Sequence, residues 1–368
     1  MGVIGLLPSI AEHFHVSVSR AGWLVSFFAL AIALSGPTLP MLFSGINRKK
    51  VMLLVLGVFV LGNVVSLLTT NFTVLLLARI IPAWFHPIYC SMAFTVAASS
   101  VSKEQAPKAV SKVFIGVSAG MVAGVPIASY LDSAVSYDMA MAFFAIVNAI
   151  AFLATFLFVP SMPVGERLSY GRQFAVLKKP VLWISIATVV LLNSAVFGVY
   201  SYLAEYLRTV TAMSPNTISL TLFIFGGANI IGNIIAGKLL SHHAAKSVIS
   251  FPLLLGIVYI GLFFTGQFAL PVEIITIIWG ILAGGLMANI NQYLIASSAP
   301  EAPDFANGLF ISSCNVGTTL GTAVGGLFIT AMDIRYVVCV GILSLILGLL
   351  TILLRNSAMK RIKDAGMA

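Results

Sequence analysis

The fold is decided by stretches such as residues 47–69, which read NRKKVMLLVLGVFVLGNVVSLLT. Three basic residues are followed by a run, 51–69, that carries no charge. About 20 apolar residues are enough to cross the hydrocarbon core of a membrane as an α-helix. The run is continuously apolar rather than alternating, so a helix is the spanning structure that pairs its own backbone groups in lipid. The stretch predicts a membrane-spanning helix with a basic end.

The composition of the whole chain indicates the same environment. Of 368 residues, 60% are hydrophobic and 8% are charged, whereas soluble globular proteins carry about 25% charged residues. So few charges cannot cover a surface that faces water. Eleven apolar runs are long enough to form complete spans, at about 21–43, 51–69, 73–99, 109–131, 139–160, 181–204, 215–237, 248–267, 272–297, 305–331 and 335–354.

The Lys and Arg residues between these spans predict how the chain is oriented. Sixteen of them lie on one side of the alternating spans, and only Arg20, Arg208 and Arg335 lie on the other. The positive-inside rule makes the side with sixteen cytoplasmic, and it places the C-terminus there. The net charge of +9 therefore reflects topology, and we expect no nucleic-acid partner.

The apolar segment 1–10 is too short to cross a membrane, yet the orientation places residues 12–20 outside. We therefore expect segment 1–10 to be the outer end of a first helix that begins upstream of Met1. Restoring that helix produces twelve, six on each side of a central connection. The predicted domains are a bundle at 1–160 (partial helix 1 and helices 2–6), a cytoplasmic linker at 161–180, and a bundle at 181–368 (helices 7–12).

Six plus six helices around a basic central loop resemble the major facilitator superfamily. GLLPSIA at residues 5–11 and AGWLVS at 21–26 resemble its bacterial drug:H⁺ antiporter-type exporters, nearest to the sugar and arabinose-efflux-like branch. The resemblance implies two pseudo-symmetric six-helix bundles in the bacterial inner (plasma) membrane. It also implies a secondary active exporter that works by alternating access and proton antiport, with a proton gradient and no bound cofactor.

Two segments resemble conformational motifs of that family. SGINRKK at 44–50, with Gly45, Arg48 and Lys49, is similar to an eroded form of its cytoplasmic signature, which clamps the two halves; the alternative is a plain positive-inside anchor. The second segment resembles the exporters' glycine-rich helix, although glycines four apart also occur in any tightly packed bundle. Its residues are Gly116, Gly120, Gly124 and Pro126.

Arg79 lies several residues into the predicted span at 73–99. A buried Arg costs at least about 2.5–3.5 kcal/mol at a helix centre, so we expect it to face a polar cavity. The family's Arg motif in the same helix implies this too. His86 and Tyr89 follow on nearly the same face and are predicted to line the same cavity. The alternative for His86 is a packed histidine bonded to a backbone carbonyl.

Uncharged polar residues inside the later spans predict a surface for a substrate. Amides and hydroxyls suit a small neutral or amphipathic solute such as a sugar, a nucleoside or a drug, although helix-to-helix hydrogen bonds explain such residues equally well. The residues chosen for this surface are Asn193, Tyr200, Asn229, Asn289 and Asn315.

The acidic residues leave proton coupling open, because none lies deep in a predicted span. In the resembling exporters the coupling acid stands in helix 1, at a position at or just before Met1 here. Three alternatives therefore remain: an uncoupled facilitator, a non-transporting membrane sensor and an inactive fragment.

Other classes of function find no support in the sequence. No P-loop or hydrolase motif is present, so we expect neither ATP-driven transport nor an enzyme. His13, His15, His242 and His243 lie in loops without supporting carboxylates or cysteines, so no metal site is predicted. The expected partners are a small-molecule substrate and the lipid bilayer, and the protein is expected to be a monomer.

Overall fold

The computed structural model describes residues 6–16, 18–21, 23–164 and 170–364. Within these ranges every regular element is a helix and no strand is present, which confirms the prediction of an all-α protein. Residues 1–5 of the expected first helix and residues 165–169 of the expected linker lie outside the described ranges.

The described residues of the first half of the chain form eight α-helices. Asn47 begins one of them by accepting a hydrogen bond from the backbone N–H of Lys50 (3.4 Å), as N-cap residues do. Ser136 caps another through the backbone N–H of Met139 (3.2 Å). The helices are α1 (Leu7–His13), α2 (Val18–Ala21), α3 (Trp23–Ser35), α4 (Leu39–Phe43), α5 (Arg48–Leu68), α6 (Phe72–Ser99), α7 (Ala106–Ala134) and α8 (Tyr137–Phe158).

The second half contains eight more α-helices within the described residues, together with a π-helical segment, Gly280–Leu286, that joins two of them. Short 3₁₀ turns at Val176–Lys178 and Ile334–Tyr336 precede two of the long helices. The α-helices are α9 (Tyr170–Ala175), α10 (Pro180–Tyr200), α11 (Leu203–Thr209), α12 (Pro215–Thr265), α13 (Ala269–Trp279), α14 (Met287–Ala296), α15 (Pro303–Ala331) and α16 (Val337–Asp364).

Eight helices of the described chain are long and apolar enough to cross a membrane, by length and composition, against eleven predicted spans. Two predicted spans lie together in α12, which bends at His243, where φ is −139° and ψ is 41°. The span at 21–43 is divided between α3 and α4, because Pro37 and Pro40 interrupt the helix between them. α15 is long, but with its many Gly, Ser, Thr and Asn residues it is not among the eight helices that are apolar enough to cross a membrane.

The chain forms two compact units. The first comprises Met1–Thr95, Ala119–Gln173 and Glu301–Ser312, and the second comprises Val96–Ser118, Phe174–Pro300 and Ser313–Ala368. The first part of α7 thus belongs to the second unit, and the first turns of α15 belong to the first unit. The division of the sequence into bundles at 1–160 and 181–368, joined by a linker at 161–180, stays a prediction.

In the second unit, α15 packs on α10 through glycines. A Cβ on Gly321 would stand 2.4 Å from the backbone oxygen of Ser194, and one on Gly317 would stand 2.5 Å from that of Val190. These backbones can approach so closely only because no side chain separates them. The predicted glycine motif of α7 differs, since a Cβ at Gly116, Gly120 or Gly124 would meet no described atom within 4 Å apart from the backbone of its own helix. Pro126 lies within α7.

Candidate transport site

Arg79 lies on α6, inside the first unit. Its Nη2 donates to the sulfur of Met141 on α8 (3.1 Å), and its guanidinium carbon stands 5.5 Å from the ring centroid of Phe144. Its Nε is buried without a hydrogen-bond partner among the described residues. An aromatic face and a sulfur are weak substitutes for a carboxylate, so the charge of Arg79 is poorly compensated.

A small cavity adjoins the Arg79 side chain, lined by Phe28, Phe59, Gly62, Asn63, Ala78, Arg79 and Pro82. His86 lies against the same two aromatic rings, with centroid distances of 6.1 Å to Phe28 and 6.2 Å to Phe59. Both of its ring nitrogens stand 3.7 Å from Cys90 Sγ. Arg79 and His86 thus border one aromatic pair, as expected of residues on one face of a helix.

Tyr89 packs differently from His86. Its ring lies against an apolar cluster of α5 and α6 that contains Val51, Val55 and Ile88. The structure therefore places Arg79 in the wall of the small cavity and His86 against two aromatic rings of that wall. It places Tyr89 in the packing of the first unit.

In the second unit, a network of amides joins three helices. Asn289 Nδ2 on α14 donates to Asn233 Oδ1 on α12 (2.7 Å), and Asn233 Nδ2 donates to Ser118 Oγ on α7 (3.0 Å). Ser118 Oγ in turn donates to Asn229 Oδ1 (3.1 Å). Two of the predicted substrate residues, Asn229 and Asn289, are therefore brought together through Asn233 on α12 and Ser118 on α7.

The glycines of the π-helical segment allow its backbone to lie close to α12. A Cβ on Gly284 would stand 2.3 Å from the Asn229 side chain, and one on Gly285 would stand 2.2 Å from the Asn233 backbone nitrogen. The network extends past the segment onto α14, where Asn289 Oδ1 and Asn291 Oδ1 are buried without partners among the described residues. π-Helical turns occur frequently at functional sites, and two orphaned acceptors leave room for donors from a solute.

Tyr200 and Asn193 lie on α10, next to different neighbours. Tyr200 stacks on Phe225 with a centroid distance of 4.8 Å and meets the edge of Trp279 at 6.3 Å. Asn193 Nδ2 donates to the backbone oxygen of Cys314 (2.5 Å) and to Thr318 Oγ1 (2.7 Å) on α15. Asn193 thus holds α10 to α15, which is the helix-to-helix role that the sequence left as an alternative.

Asn315 follows Cys314 on α15. Its backbone oxygen accepts a hydrogen bond from Thr319 Oγ1 (3.0 Å).

The loop that precedes α5 bonds to the end of α8. Lys49 Nζ donates to the backbone oxygen of Phe156 (2.7 Å) and stands 5.5 Å from that ring's centroid. Asn47 Nδ2 donates to Ser161 Oγ (2.9 Å), and the Arg48 N–H donates to Met162 O (3.1 Å). These contacts anchor the loop that contains Gly45 within the first unit.

Asp304 is the acid that sequence reasoning misplaced, since it was assigned to a loop. Among the described residues it is the one buried acidic side chain, 6% exposed, in the first turn of α15. Its Oδ1 accepts from Thr95 Oγ1 (2.7 Å), and its backbone oxygen accepts from Ser91 Oγ (2.9 Å), both on α6. Pro303 followed by an acid is a helix-start signal that would have indicated this position.

Arg355 follows the predicted span at 335–354, yet it lies within α16 and is 5% exposed. Its guanidinium donates to Ser185 Oγ (2.8 Å) and Ser297 Oγ (2.7 Å), and also to the backbone oxygen of Leu294 (3.3 Å). All these acceptors are neutral. Arg355 thereby joins α10, α14 and α16, and no sequence pattern indicated the contact.

Comparison with known proteins agrees with this architecture. The family model of the Major Facilitator Superfamily matches residues 1–302 and 201–367. The inner membrane transport protein YdhP of Escherichia coli K12 is 29% identical over 359 residues, which cover 97% of this chain and 92% of YdhP.

Two solved structures share the fold. The E. coli fucose:proton symporter FucP superposes with a TM-score of 0.77 at 14% identity, covering 96% of this chain and 95% of FucP. A bacterial homologue of the iron transporter ferroportin, in an outward-facing state, superposes with a TM-score of 0.69 at 14% identity, covering 96% and 94%. The predicted major-facilitator fold is thus confirmed. This chain belongs to the Major Facilitator Superfamily and is a multi-pass membrane transporter of that type, rather than an enzyme.

Proposed function

We propose that this transporter is a proton-coupled secondary exporter of a small neutral or amphipathic solute, such as a sugar, a nucleoside or a drug. It works by alternating access as a monomer in the bacterial inner membrane, with its C-terminus in the cytoplasm. The observation that supports coupling is the buried carboxyl of Asp304, which stands where α15 meets α6. The fold that this chain shares with FucP, a fucose:proton symporter, supports coupling by analogy.

The joint between α6 and α15 is built around that carboxyl. Asn307 Nδ2 donates to Thr95 Oγ1 (3.2 Å), and Thr95 Oγ1 donates to Asp304 Oδ1. Arg48 lies across a small cavity that Asp304 also lines, together with Ser44 and other neighbours. The count of basic residues places this end of the helices at the cytoplasm, so the joint must separate for a solute to enter from that side.

The protonation of Asp304 is linked to that separation. Burial in the first turn of α15 raises the pKa of the carboxyl, and the Thr95 hydrogen bond and the charge of Arg48 oppose part of the rise. The closed joint therefore binds a proton more tightly than an open, hydrated Asp304 does. By linkage, protonation stabilises the closed joint, and opening toward the cytoplasm releases the proton there. Proton release into the cytoplasm is the step that an antiporting exporter requires.

The polar residues of the second unit support a neutral substrate. The orphaned oxygens of Asn289 and Asn291 are acceptors that hydroxyl or amide donors of a solute satisfy. Tyr200 offers an aromatic face beside Phe225 and Trp279. In the first unit, Arg79 lines the small cavity and His86 packs against its Phe59, and we propose that they contact the solute or its proton-linked partner group during the cycle.

The proposal is tested by uptake into inverted membrane vesicles with an acidic lumen, screening sugars, nucleosides and drugs. The parent protein is expected to accumulate its solute against a gradient and to lose accumulation when a protonophore is added. Asp304→Asn is expected to keep downhill flux and lose uphill accumulation. Asp364→Asn, an exposed acid on α16, is the matched control and should behave as the parent.

Two results contradict the proposal in different ways. If Asp304→Asn accumulates solute uphill as the parent does, Asp304 is not the coupling acid. If the parent itself shows downhill flux that a protonophore does not change, the protein is an uncoupled facilitator.

A further inference from the structure

A cavity of about 340 Å³ lies beside the bend of α12, and none of the residues proposed for transport lines it. α12 changes direction at His243, whose backbone leaves the helical region. The π-helical segment contributes Leu286 to the cavity wall. All the lining residues belong to the second unit: Leu239, His243, Lys246, Ser247, Ser250, Phe251, Leu254 and Leu286.

The cavity has two chemically different sides. Leu239, Phe251, Leu254 and Leu286 form an apolar wall, and the other four residues form a polar rim. Leu254 is 46% exposed, and Ile257, one turn further along α12, is 65% exposed. In a helix that is apolar enough to cross a membrane, such exposed side chains face lipid chains. The apolar wall is therefore continuous with the lipid-facing side of α12.

The rim of the cavity is positively charged. Lys246 is exposed and forms no ion pair within the described residues. No Asp or Glu occurs between Glu205 and Glu273, so α12 contains no acid. Ser247 Oγ donates to the backbone oxygen of His243 (3.0 Å), which holds the rim in shape. The excess of Lys and Arg places this bend at the cytoplasmic surface.

We propose that this cavity binds one anionic phospholipid from the cytoplasmic leaflet. Lys246 pairs with the phosphate, with the imidazole of His243 and the hydroxyl of Ser250 as further donors, and an acyl chain follows the apolar wall toward Ile257. Basic pockets between helices at the cytoplasmic side are known to suit anionic headgroups. The charge of the rim selects an anionic lipid over a zwitterionic one. The apolar wall favours a lipid over free phosphate, because burial of an acyl chain adds to the affinity.

The proposal concerns a lipid and not the transported solute, so it is tested by binding. The full-length protein, freed of lipid in a neutral detergent, is titrated with phosphatidylglycerol and followed by native mass spectrometry. Separate titrations use phosphatidylcholine and inorganic phosphate. The parent is expected to retain one phosphatidylglycerol in preference to phosphatidylcholine, and inorganic phosphate is expected not to displace it.

Three variants locate the site. Lys246→Gln should weaken phosphatidylglycerol binding about fivefold, the factor that one lysine contributes near an anionic lipid. Lys238→Gln removes the same charge from the same helix outside the cavity and should change binding less than about twofold. Ser250→Trp fills the cavity without changing the charge and should also lower binding. Ser250 is exposed, so the larger side chain does not overpack the core.

Several outcomes would overturn the proposal. Equal losses in Lys246→Gln and Lys238→Gln mean general surface attraction rather than a site. Equal binding of phosphatidylcholine removes the role of the charge. Displacement of the lipid by inorganic phosphate identifies a free anion as the ligand. Unchanged binding in Ser250→Trp places the lipid elsewhere on the protein.

Discussion

Gly321→Ala is expected to destabilise the second unit because α15 touches the α10 backbone at this glycine. The new Cβ would lie 2.4 Å from the backbone oxygen of Ser194 and 2.7 Å from its Cα. Ordinary contacts begin about one ångström further out, so the two helices must move apart by roughly that amount. Overpacking of this kind costs about 1–3 kcal/mol.

The separation would also strain the hydrogen bonds beside Gly321. Ser194 Oγ donates to the backbone oxygen of Gly317 (2.8 Å), and Asn193 donates to Cys314 and Thr318. Interhelical hydrogen bonds in membrane proteins contribute about 0.6 kcal/mol each on average. Because these hydrogen bonds would also weaken, we expect Gly321→Ala to lower the free energy of unfolding by an amount in the upper part of the range of about 1–3 kcal/mol.

The measurement is thermal unfolding of the purified transporter in detergent, and Gly120→Ala is the matched control. The same substitution on α7 places no Cβ within 4 Å of a described atom outside the backbone of that helix, and Ala is favoured over Gly in a helix by up to about 1 kcal/mol. Gly120→Ala should therefore unfold at the same temperature as the parent or higher, and Gly321→Ala lower. Equal midpoints for the two variants would refute the packing argument. Loss of transport in a stable Gly120→Ala would support the predicted conformational role of the α7 glycines.

Three further variants test the polar contacts of the structure. Arg355→Met should lower the free energy of unfolding by about 1–3 kcal/mol, since it removes charged hydrogen bonds between three helices. The control Arg361→Met, at an exposed position of α16, should leave the free energy of unfolding unchanged. Equal losses in the two variants would contradict a role of the Arg355 hydrogen bonds in stability. Thr95→Val removes a hydrogen bond that lowers the pKa of Asp304, so the pH midpoint of transport should move up; a downward shift would mean that the sign is wrong. Arg79→Met should abolish solute uptake while the protein remains folded, and uptake at the parent's rate would remove Arg79 from the site.

The helical membrane architecture could be read from the sequence, because it depends on local properties. A run such as 51–69 is helical in lipid whatever its neighbours are, since only a helix satisfies its own backbone groups there. Nine of the eleven predicted spans correspond to helices long and apolar enough to cross a membrane. The other two predicted spans do not. The span at 21–43 is divided between α3 and α4 at its prolines, and α15 contains many Gly, Ser, Thr and Asn residues, among them the glycines that pack on α10.

The candidate site could be predicted only in part. Asn229 and Asn289 were chosen as polar residues within spans, and the structure brings them together through Asn233 and Ser118. Their proposed contact with a solute stays a prediction, and so does that of Arg79. The π-helical segment that allows this approach has no clear sequence signature beyond its glycines.

The sequence by itself determined that this chain spans a membrane as helices, and its basic residues predict which loops face the cytoplasm. Both follow from the partition of individual segments between water and lipid. Only the tertiary structure decided that Asp304 and Arg355 are buried and bonded to other helices. Their partners lie far away in the chain, and the free energy of a buried charge depends on the groups that surround it in space. The acid that we propose for proton coupling was therefore visible in the sequence, but its environment was not.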